Sequence, residues 1–150
     1  MNDSSEKRLT QPAPQAWERS FPNSVPALMR AIESMSEFLT RHSAGPQALY
    51  NAQLAAEELG TNIIKYAYKD QREHRIILRL EGLPDCFRLQ LLDDGHPFDV
   101  RQVPEPDPGQ NLEGRDGGGW GVSLVRRLTR RMDYERRDGL NVLTVEISKD

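Results

Sequence analysis

The sequence has little of several features that define whole classes of protein. It contains one cysteine, Cys86, so no internal disulfide can form, and its one cysteine and three histidines have no zinc-site spacing. No apolar run approaches the roughly 20 residues that a membrane-spanning helix needs. The formal net charge of -3 gives no electrostatic case for binding nucleic acid or an anionic membrane. We therefore expect a cytoplasmic protein with neither of these partners.

The composition that remains is that of an ordinary globular domain. Of the 150 residues, 37% are hydrophobic and 29% are charged, which suits one domain with a real core. The first 15 residues are polar and carry Pro12 and Pro14, so we predict a disordered tail there. Residues 16–150 are then expected to form a single domain.

Apolar periodicity predicts an α+β fold. Residues recurring at three and four indicate helices, and alternating residues indicate strands. Residues 96–118 are rich in proline and glycine, and a loop of that length is typical of a lid. The order predicts a two-layer sandwich, with helices on one face of a mixed, mostly antiparallel sheet. The predicted strands are Trp17–Phe21, His74–Leu80, Cys86–Leu92, Tyr134–Arg137 and Leu140–Ile147; the predicted helices are Ser24–Arg41 (capped by Asn23 or Ser24), Pro46–Tyr68 and Val122–Met132, the last with Val122, Leu124, Val125 and Leu128 facing inward.

The first motif with chemical content lies on the second helix. Glu58 and Asn62 are four residues apart, so they project from one helix face. A carboxylate and an amide oxygen side by side suit Mg²⁺, and the carboxylate can also act as a general base. A solvated helix face is the competing interpretation of the pair alone. Lys65, further along the helix, can line phosphates or simply extend its polar face.

The second motif, Asp93-Asp94-Gly95, ends a hydrophobic strand. A carboxylate here can accept a hydrogen bond from an exocyclic amine such as adenine N6, and Gly95 can let a flat base approach the backbone. The alternative is an ordinary Asp-Gly turn. A proline-rich loop rather than a returning strand follows it, which weakens that alternative.

The third motif is a run of glycines, Gly117-Gly-Gly-Trp-Gly121, before a helix. Free N–H groups at a helix N-terminus bind phosphate, and glycines allow close approach of the anion. A flexible hinge is the competing interpretation. Arg126 and Arg127 can reach phosphate or a protein partner, although a helix face of arginines is more often solvated.

Taken together, the three motifs resemble the N, G1 and G2 boxes of the GHKL (Bergerat-fold) ATP-binding superfamily. The matching segments are AAEELGTNIIKYAY, LLDDGHPFDV and GGGWGVSLVRRL, and DYERRDGLNVLTVEI resembles the closing hairpin. The resemblance covers about residues 17–149. Within the superfamily, the chain is most similar to the anti-sigma-factor serine kinases. This resemblance rests on the small size, the short lid and the DDG-x-PFD sequence motif.

This resemblance implies a role for each matched residue. Glu58 is implied as the general base and Asn62 as the Mg²⁺ ligand, while Asp93 reads adenine. The others are implied to contact nucleotide: Gly95 at the G1 position, Gly119 and Gly121 beside the phosphates, and Thr144 near a water at the adenine. Pro97 departs from the pattern, because many relatives have a second G1 glycine there.

The resemblance also implies an activity and partners. It implies a serine/threonine-protein kinase that binds ATP and Mg²⁺ and phosphorylates a STAS-domain anti-anti-sigma protein, with a sigma factor as a second partner. Two alternatives stay open: a nucleotide-dependent binding module without transfer, and a switch kinase that controls a phosphatase. A homodimer through the N-terminal strand and helix is a further expectation, with Trp17 and Phe21 near the contact. His42, His74 and His96 match no phosphoacceptor context and are expected at the surface.

Overall fold

The computed structural model describes residues 15–104 and 118–149 of the chain. In these ranges five strands and three helices occur in the order β1, α1, α2, β2, β3, α3, β4, β5, with a 3₁₀ turn at Val100–Gln102. None of these helices has both the length and the apolar character required to cross a membrane. The strands are β1 (Gln15–Pro22), β2 (Arg75–Gly82), β3 (Cys86–Asp93), β4 (Arg131–Arg137) and β5 (Leu140–Ser148); the helices are α1 (Val25–Arg41), α2 (Pro46–Tyr66) and α3 (Gly118–Leu128).

The first two helices begin where the sequence signals predict. Ser24 is the N-cap of α1, and its hydroxyl accepts a hydrogen bond from Ala27 N at 3.3 Å. Pro46 lies in the first turn of α2, where its missing N–H costs nothing. The predicted stripe on α1 is buried, with Leu28, Met35 and Leu39 fully so. Helix α2 ends at Tyr66 rather than Tyr68.

The strands form one sheet in the order β1-β2-β3-β5-β4. All four strand pairs of the described sheet are antiparallel, so the parallel component that we expected is missing from it. The helices pack on the sheet face that carries the core residues of β2, β3 and β5. The predicted α+β fold with helices on one face is therefore confirmed.

The opposite sheet face is polar and carries charges in rows across the strands. One row runs from Glu18 through Arg79, Gln90 and Thr144 to Asp133. Arg79 pairs with Glu18, and Gln90 Nε2 donates to Thr144 Oγ1 at 3.0 Å. Opposite charges on facing strands stabilise a sheet modestly. Their polarity also allows this face to remain exposed to solvent, with no second helical layer in the described part of the chain.

Helix α3 is displaced along the sequence from its predicted position. It begins at Gly118 and ends at Leu128, so Met132, which we predicted as helical, lies in β4 instead. The helix stops because Arg130 N donates to Glu146 O at 2.8 Å, which starts the pairing of β4 with β5. Leu124, predicted to face inward, has 41% of its surface exposed. It lies about 200° around the helix from the buried Val122.

The predicted lid begins as a packed segment. In the described part of the predicted lid, residues 96–104, Val100 is buried and Phe98 and Val103 are partly buried against the core. His96 N also donates to Ala67 O at 2.9 Å, which fixes the segment to the end of α2. The lid itself stays a prediction. The rest of the predicted lid, 105–117, lies outside the described residues, as does the predicted tail up to residue 14.

The N-terminal strand lies at one edge of the sheet, but its aromatic residues face the core. Phe21 is 3% exposed, and Trp17 packs against the core. The Phe21 side chain is thus committed within the chain, whereas Trp17 is only partly buried. Gln15, which we placed in the tail, is the first residue of β1 and pairs with Gly82. The homodimer itself stays a prediction.

Candidate functional site

Helix α2 brings Glu58 and Asn62 to one face and buries the second of them. Asn62 is 3% exposed, and its Nδ2 donates to Glu58 O at 2.7 Å. The other half of the amide, Oδ1, is buried without a hydrogen-bond partner among the described residues. An unsatisfied buried acceptor costs about 1–3 kcal/mol, so such an atom calls for a partner, which an ordered water, an ion or a ligand can supply. Asn62 Oδ1 is such an acceptor, and it suits a hard cation or a donor.

The Glu58 carboxylate lies against the first turn of α3. A β-carbon built on Gly121 would overlap the Glu58 carboxylate and come within 2.6 Å of its carboxyl carbon. Glycine at this position therefore has a packing reason, since any larger residue would push Glu58 aside. Burial, and then the neighbouring Glu57 charge, raise the pKa of Glu58. Glu57 itself is exposed, so the structure separates the two adjacent carboxylates.

Asp93, at the end of β3, is held by a second buried side chain. Asp93 is 2% exposed, and its Oδ1 accepts from Gly95 N and from Asn141 Nδ2, both at 2.9 Å. Burial raises the pKa of Asp93, while the Asn141 and Gly95 hydrogen bonds oppose that rise. The two bonds to Oδ1 fix the direction of the carboxylate.

Asn141 is a site residue that the sequence reasoning missed. Its Nδ2 also donates to His96 O at 2.9 Å, and its Oδ1 accepts from Tyr134 OH at 2.5 Å and from Arg136 Nη1 at 3.1 Å. Asn141 faces Asp93 across the β3–β5 pair and is 2% exposed. One buried amide thus joins the end of β3, the segment that follows it, and β4.

Thr144, which the resemblance implied at the nucleotide, does not join this group. It shares strand parity with Val142 and Glu146, whereas Asn141 shares parity with the core residues Leu143 and Val145. Successive strand residues point to opposite faces, so Thr144 projects from the open sheet face. The structure therefore does not bring Thr144 together with Asp93 and Asn141, and its role at the nucleotide stays a prediction.

Gly95 has a reason to be glycine that differs from the predicted one. A β-carbon there would come within 2.7 Å of Ala67 Cβ and would overlap Ala67 O. The close approach is to the C-terminal end of α2 rather than to a base. Gly95 thus lets the β3 end pack against the helix that carries Glu58 and Asn62.

Two further side chains surround the β3 end. Tyr68 OH is buried without a partner in the described part of the chain, and burial followed by the Asp93 and Asp94 charges raises the pKa of Tyr68. His74 stacks on the Tyr68 ring at 4.4 Å. Its Nε2 lies 2.7 Å from Asp70 Oδ1, and its Nδ1 lies 3.2 Å from Asp94 Oδ1. His74 is therefore a bridge between two loops rather than a plain surface residue.

The remaining predicted residues lie on the same elements, α2 and α3. Lys65 follows Asn62 by three residues on α2 and is exposed. Gly119 lies, like Gly121, in the first turn of α3, where backbone N–H groups have no partner within the helix. Helix α2 packs on β3, β5 and α3, which brings Glu58, Asn62, Asp93, Asn141 and Gly121 onto neighbouring elements. The arrangement joins a carboxylate, an unsatisfied amide oxygen, a buried acidic acceptor and a helix N-terminus.

Comparison with known proteins shows to which family the chain that carries these residues belongs. Residues 21–147 match the family model of the histidine kinase-like ATPase domain. The chain belongs to that family. The match runs from Phe21 to Ile147 and therefore includes every site residue named above.

The curated relatives are protein kinases by name. The chain is 32% identical over 92 residues to the serine/threonine-protein kinase BtrW of Bordetella bronchiseptica, a match covering 61% of this chain and 65% of that protein. It is 26% identical over 123 residues to the serine-protein kinase RsbW of Staphylococcus aureus, covering 78% and 77%. The chain thus spans just under two thirds of the first of these relatives and about three quarters of the second.

One solved structure supports the fold. The RsbU and RsbW domains of Rv1364c from Mycobacterium tuberculosis superpose with a TM-score of 0.61 at 13% identity, over 89% of this chain and 32% of that one. At this identity the similarity supports the fold alone.

Proposed function

We propose that this protein is an ATP-dependent serine/threonine-protein kinase of the anti-sigma regulatory type. The observation that carries the proposal is the Glu58 carboxylate lying against Gly121, at the N-terminus of α3. A base at the phosphate-binding end of a nucleotide pocket is what transfer to a hydroxyl requires. The relatives BtrW and RsbW, named as kinases, support the choice of reaction.

Different residues would bind different parts of ATP. Asp93, with Oδ1 held by Asn141 and Gly95, presents its second oxygen as an acceptor for the 6-amino group of adenine. The N–H groups of the α3 first turn at Gly119 and Gly121, which have no partners within the helix, receive the phosphates. Lys65, exposed on the same face of α2, supplies positive charge at the mouth of the pocket.

Magnesium fits the donor set. Asn62 Oδ1 is a buried amide oxygen without a partner among the described residues, and it is the type of hard oxygen ligand that Mg²⁺ takes. The bound ion would neutralise charge on the phosphates. Glu58, one helical turn away, would then stay available for the proton rather than for the metal.

The chemical step needs little beyond position and one proton acceptor. The hydroxyl oxygen of the protein substrate attacks the γ-phosphorus, its proton passes to Glu58, and ADP leaves with the electrons of the broken bond. The raised pKa of Glu58 makes that carboxylate a stronger base than an exposed one. We propose a serine of a STAS-domain anti-anti-sigma protein as the acceptor, with a sigma factor as a competing partner.

The test is transfer of label from [γ-³²P]ATP to STAS-domain proteins of the source organism. Glu58→Gln should lose transfer by about 10²–10⁴-fold, the usual contribution of a general base, while ATP affinity stays close to wild type. Glu57→Gln is the matched control, because Glu57 is exposed and lies about 100° away on the helix. Unimpaired transfer by Glu58→Gln would show that Glu58 is not the general base. No labelled protein at all would favour a nucleotide-dependent binding module.

A further inference from the structure

A cluster of arginines surrounds a hollow at the C-terminal end of α3. Four of them line a space of about 250 Å³, together with Thr129 and Met132. The arginines come from three elements: Arg101 from the 3₁₀ turn, Arg126 and Arg130 from α3 and its end, and Arg131 from β4. This concentration of positive charge stands out on a chain whose formal net charge is -3.

The carboxylates near this cluster do not neutralise all of it. Arg101, Arg130 and Arg131 pair with Asp99, Asp85 and Asp133 respectively. Arg126 donates instead to the backbone oxygen of Arg101. In the described part of the chain, neither Arg126 nor its neighbour Arg127 has a carboxylate partner, so their charges are available to a ligand.

The fold explains only part of this charge. Cations at a helix C-terminus favourably offset its dipole, which gives a structural reason for Arg126 and Arg127 in the last turn of α3. That effect is confined to the last turn, so it does not account for Arg101 on a separate element. Exposed ion pairs such as Arg130–Asp85 are individually weak and exchange readily with other carboxylates.

An exposed apolar side chain lies beside the arginines. Leu124, on the outer face of α3, has 41% of its surface exposed. Arg127 follows it by three residues and therefore lies on the same face. Arg126 lies about 200° around the helix from Leu124 and belongs to the hollow, so Arg127 is the arginine beside Leu124. An exposed apolar side chain next to an arginine is a composition found at protein interfaces, where arginine is enriched. Nucleic acid is a poorer occupant, because the chain as a whole is acidic.

We propose that Leu124, Arg126, Arg127 and the arginine-lined hollow dock an acidic surface of the protein substrate. This inference rests on the proposed function, since it assigns the docking of that function's partner. Gly121, against Glu58, lies about 9 Å along α3 from Arg127. A standard interface buries about 800 Å² on each partner, a footprint wide enough to extend along α3 from Gly121 to Arg127.

The test uses Arg127→Glu, because Arg127 makes no contact within the described fold that the change would break. With the STAS-domain protein that wild type labels, KM should rise at least about tenfold while kcat and ATP affinity stay unchanged. The wild-type KM should also rise with salt, and the variant should lose most of that dependence. Arg137→Glu is the control and should leave KM unaltered, because Arg137 is an exposed arginine at the far end of β4, where it pairs with Glu135.

Failure of the docking proposal is distinguishable from failure of the kinase proposal. Full labelling with an unchanged KM in Arg127→Glu overturns the docking surface and leaves the kinase intact. If no STAS-domain protein is labelled, calorimetric titration of the same proteins in the presence of a non-hydrolysable ATP analogue replaces KM. Binding by wild type and not by Arg127→Glu then supports the docking surface without the kinase, and binding by neither or equal binding by both overturns it.

Discussion

The Glu58 carboxylate occupies the space that a side chain at residue 121 would need. Its carboxyl carbon lies 2.6 Å from where the β-carbon of any residue other than glycine would be. The two groups come from different helices, α2 and α3, which pack on each other. The proposed base and the proposed phosphate-binding turn are therefore fitted to each other, and a change on one side displaces the other.

Gly121→Ala should separate phosphoryl transfer from folding. We expect overpacking to cost about 1–3 kcal/mol of stability, less where the flexible Glu58 side chain swings away. That swing should lower kcat by at least about tenfold. Thermal unfolding and transfer assays measure the two effects. Gly82→Ala is the control, because the nearest atoms to a β-carbon there lie at an ordinary 3.6 Å. Normal transfer by Gly121→Ala would show that the apposition has no role in catalysis.

Asn141→Ala should weaken both the fold and nucleotide binding. It removes a buried amide that bonds Asp93, His96, Tyr134 and Arg136, and it leaves several polar groups unpaired. We expect a loss of about 2–4 kcal/mol in the free energy of unfolding, with a fall in ATP affinity. Denaturant unfolding and calorimetry measure these.

Thr144→Val provides the matched comparison on the same strand. Because Thr144 lies on the open sheet face, ATP affinity should stay within about twofold of wild type, and any loss of stability should be that of one partly buried hydrogen bond from Gln90. A large loss of ATP affinity in Thr144→Val would contradict the face assignment.

His74 should give the protein a pH-dependent contribution to stability. Its hydrogen bond to Asp70, followed by the charges of Asp70 and Asp94, raises the pKa of His74 above the usual 6.5. A raised folded-state pKa means that the contribution is fully present below about pH 6.5 and is lost as pH rises through the folded value. The midpoint of thermal unfolding, measured from pH 5.5 to 8.5, should therefore fall faster in wild type than in His74→Gln. Parallel curves would show that the His74 bridge is not coupled to folding.

The sequence predicted the parts of this molecule that local chemistry controls. The cap at Ser24, the α2 face of Glu58 and Asn62, and the strand ending at Asp93 all follow from short-range signals. What it missed depends on tertiary pairing. Helix α3 ends before Met132 because β4 pairs with β5. It begins at Gly118, earlier than predicted, because glycines are more typical of a turn than of the first turn of a helix.

The sequence reasoning chose Thr144 as a site residue and missed Asn141 for a different reason. Family resemblance favoured the threonine, whereas strand parity alone would have placed Asn141 with Leu143 and Val145 on the core face. A polar residue at an inward position, directly opposite Asp93, was the signal that could have found it. Asn62 Oδ1, which has no hydrogen-bond partner among residues 15–104 and 118–149, had no such signal, because the pairing of a buried polar atom is a property of the folded chain.

Calorimetric titration of Mg-ATP into wild type and Asp93→Asn tests the central claim most directly, namely that this pocket binds an adenine nucleotide. We predict saturable binding by wild type and no comparable binding of Mg-GTP, whose 6-oxo group cannot donate to Asp93. Asp93→Asn should lose at least about tenfold in affinity, the value of roughly 1.4 kcal/mol for one charge-assisted hydrogen bond. At about 100 times Kd, Mg-ATP should also add about 2.7 kcal/mol to wild-type stability. Absence of heat and of stabilisation in wild type, or equal affinity in Asp93→Asn, would contradict the account.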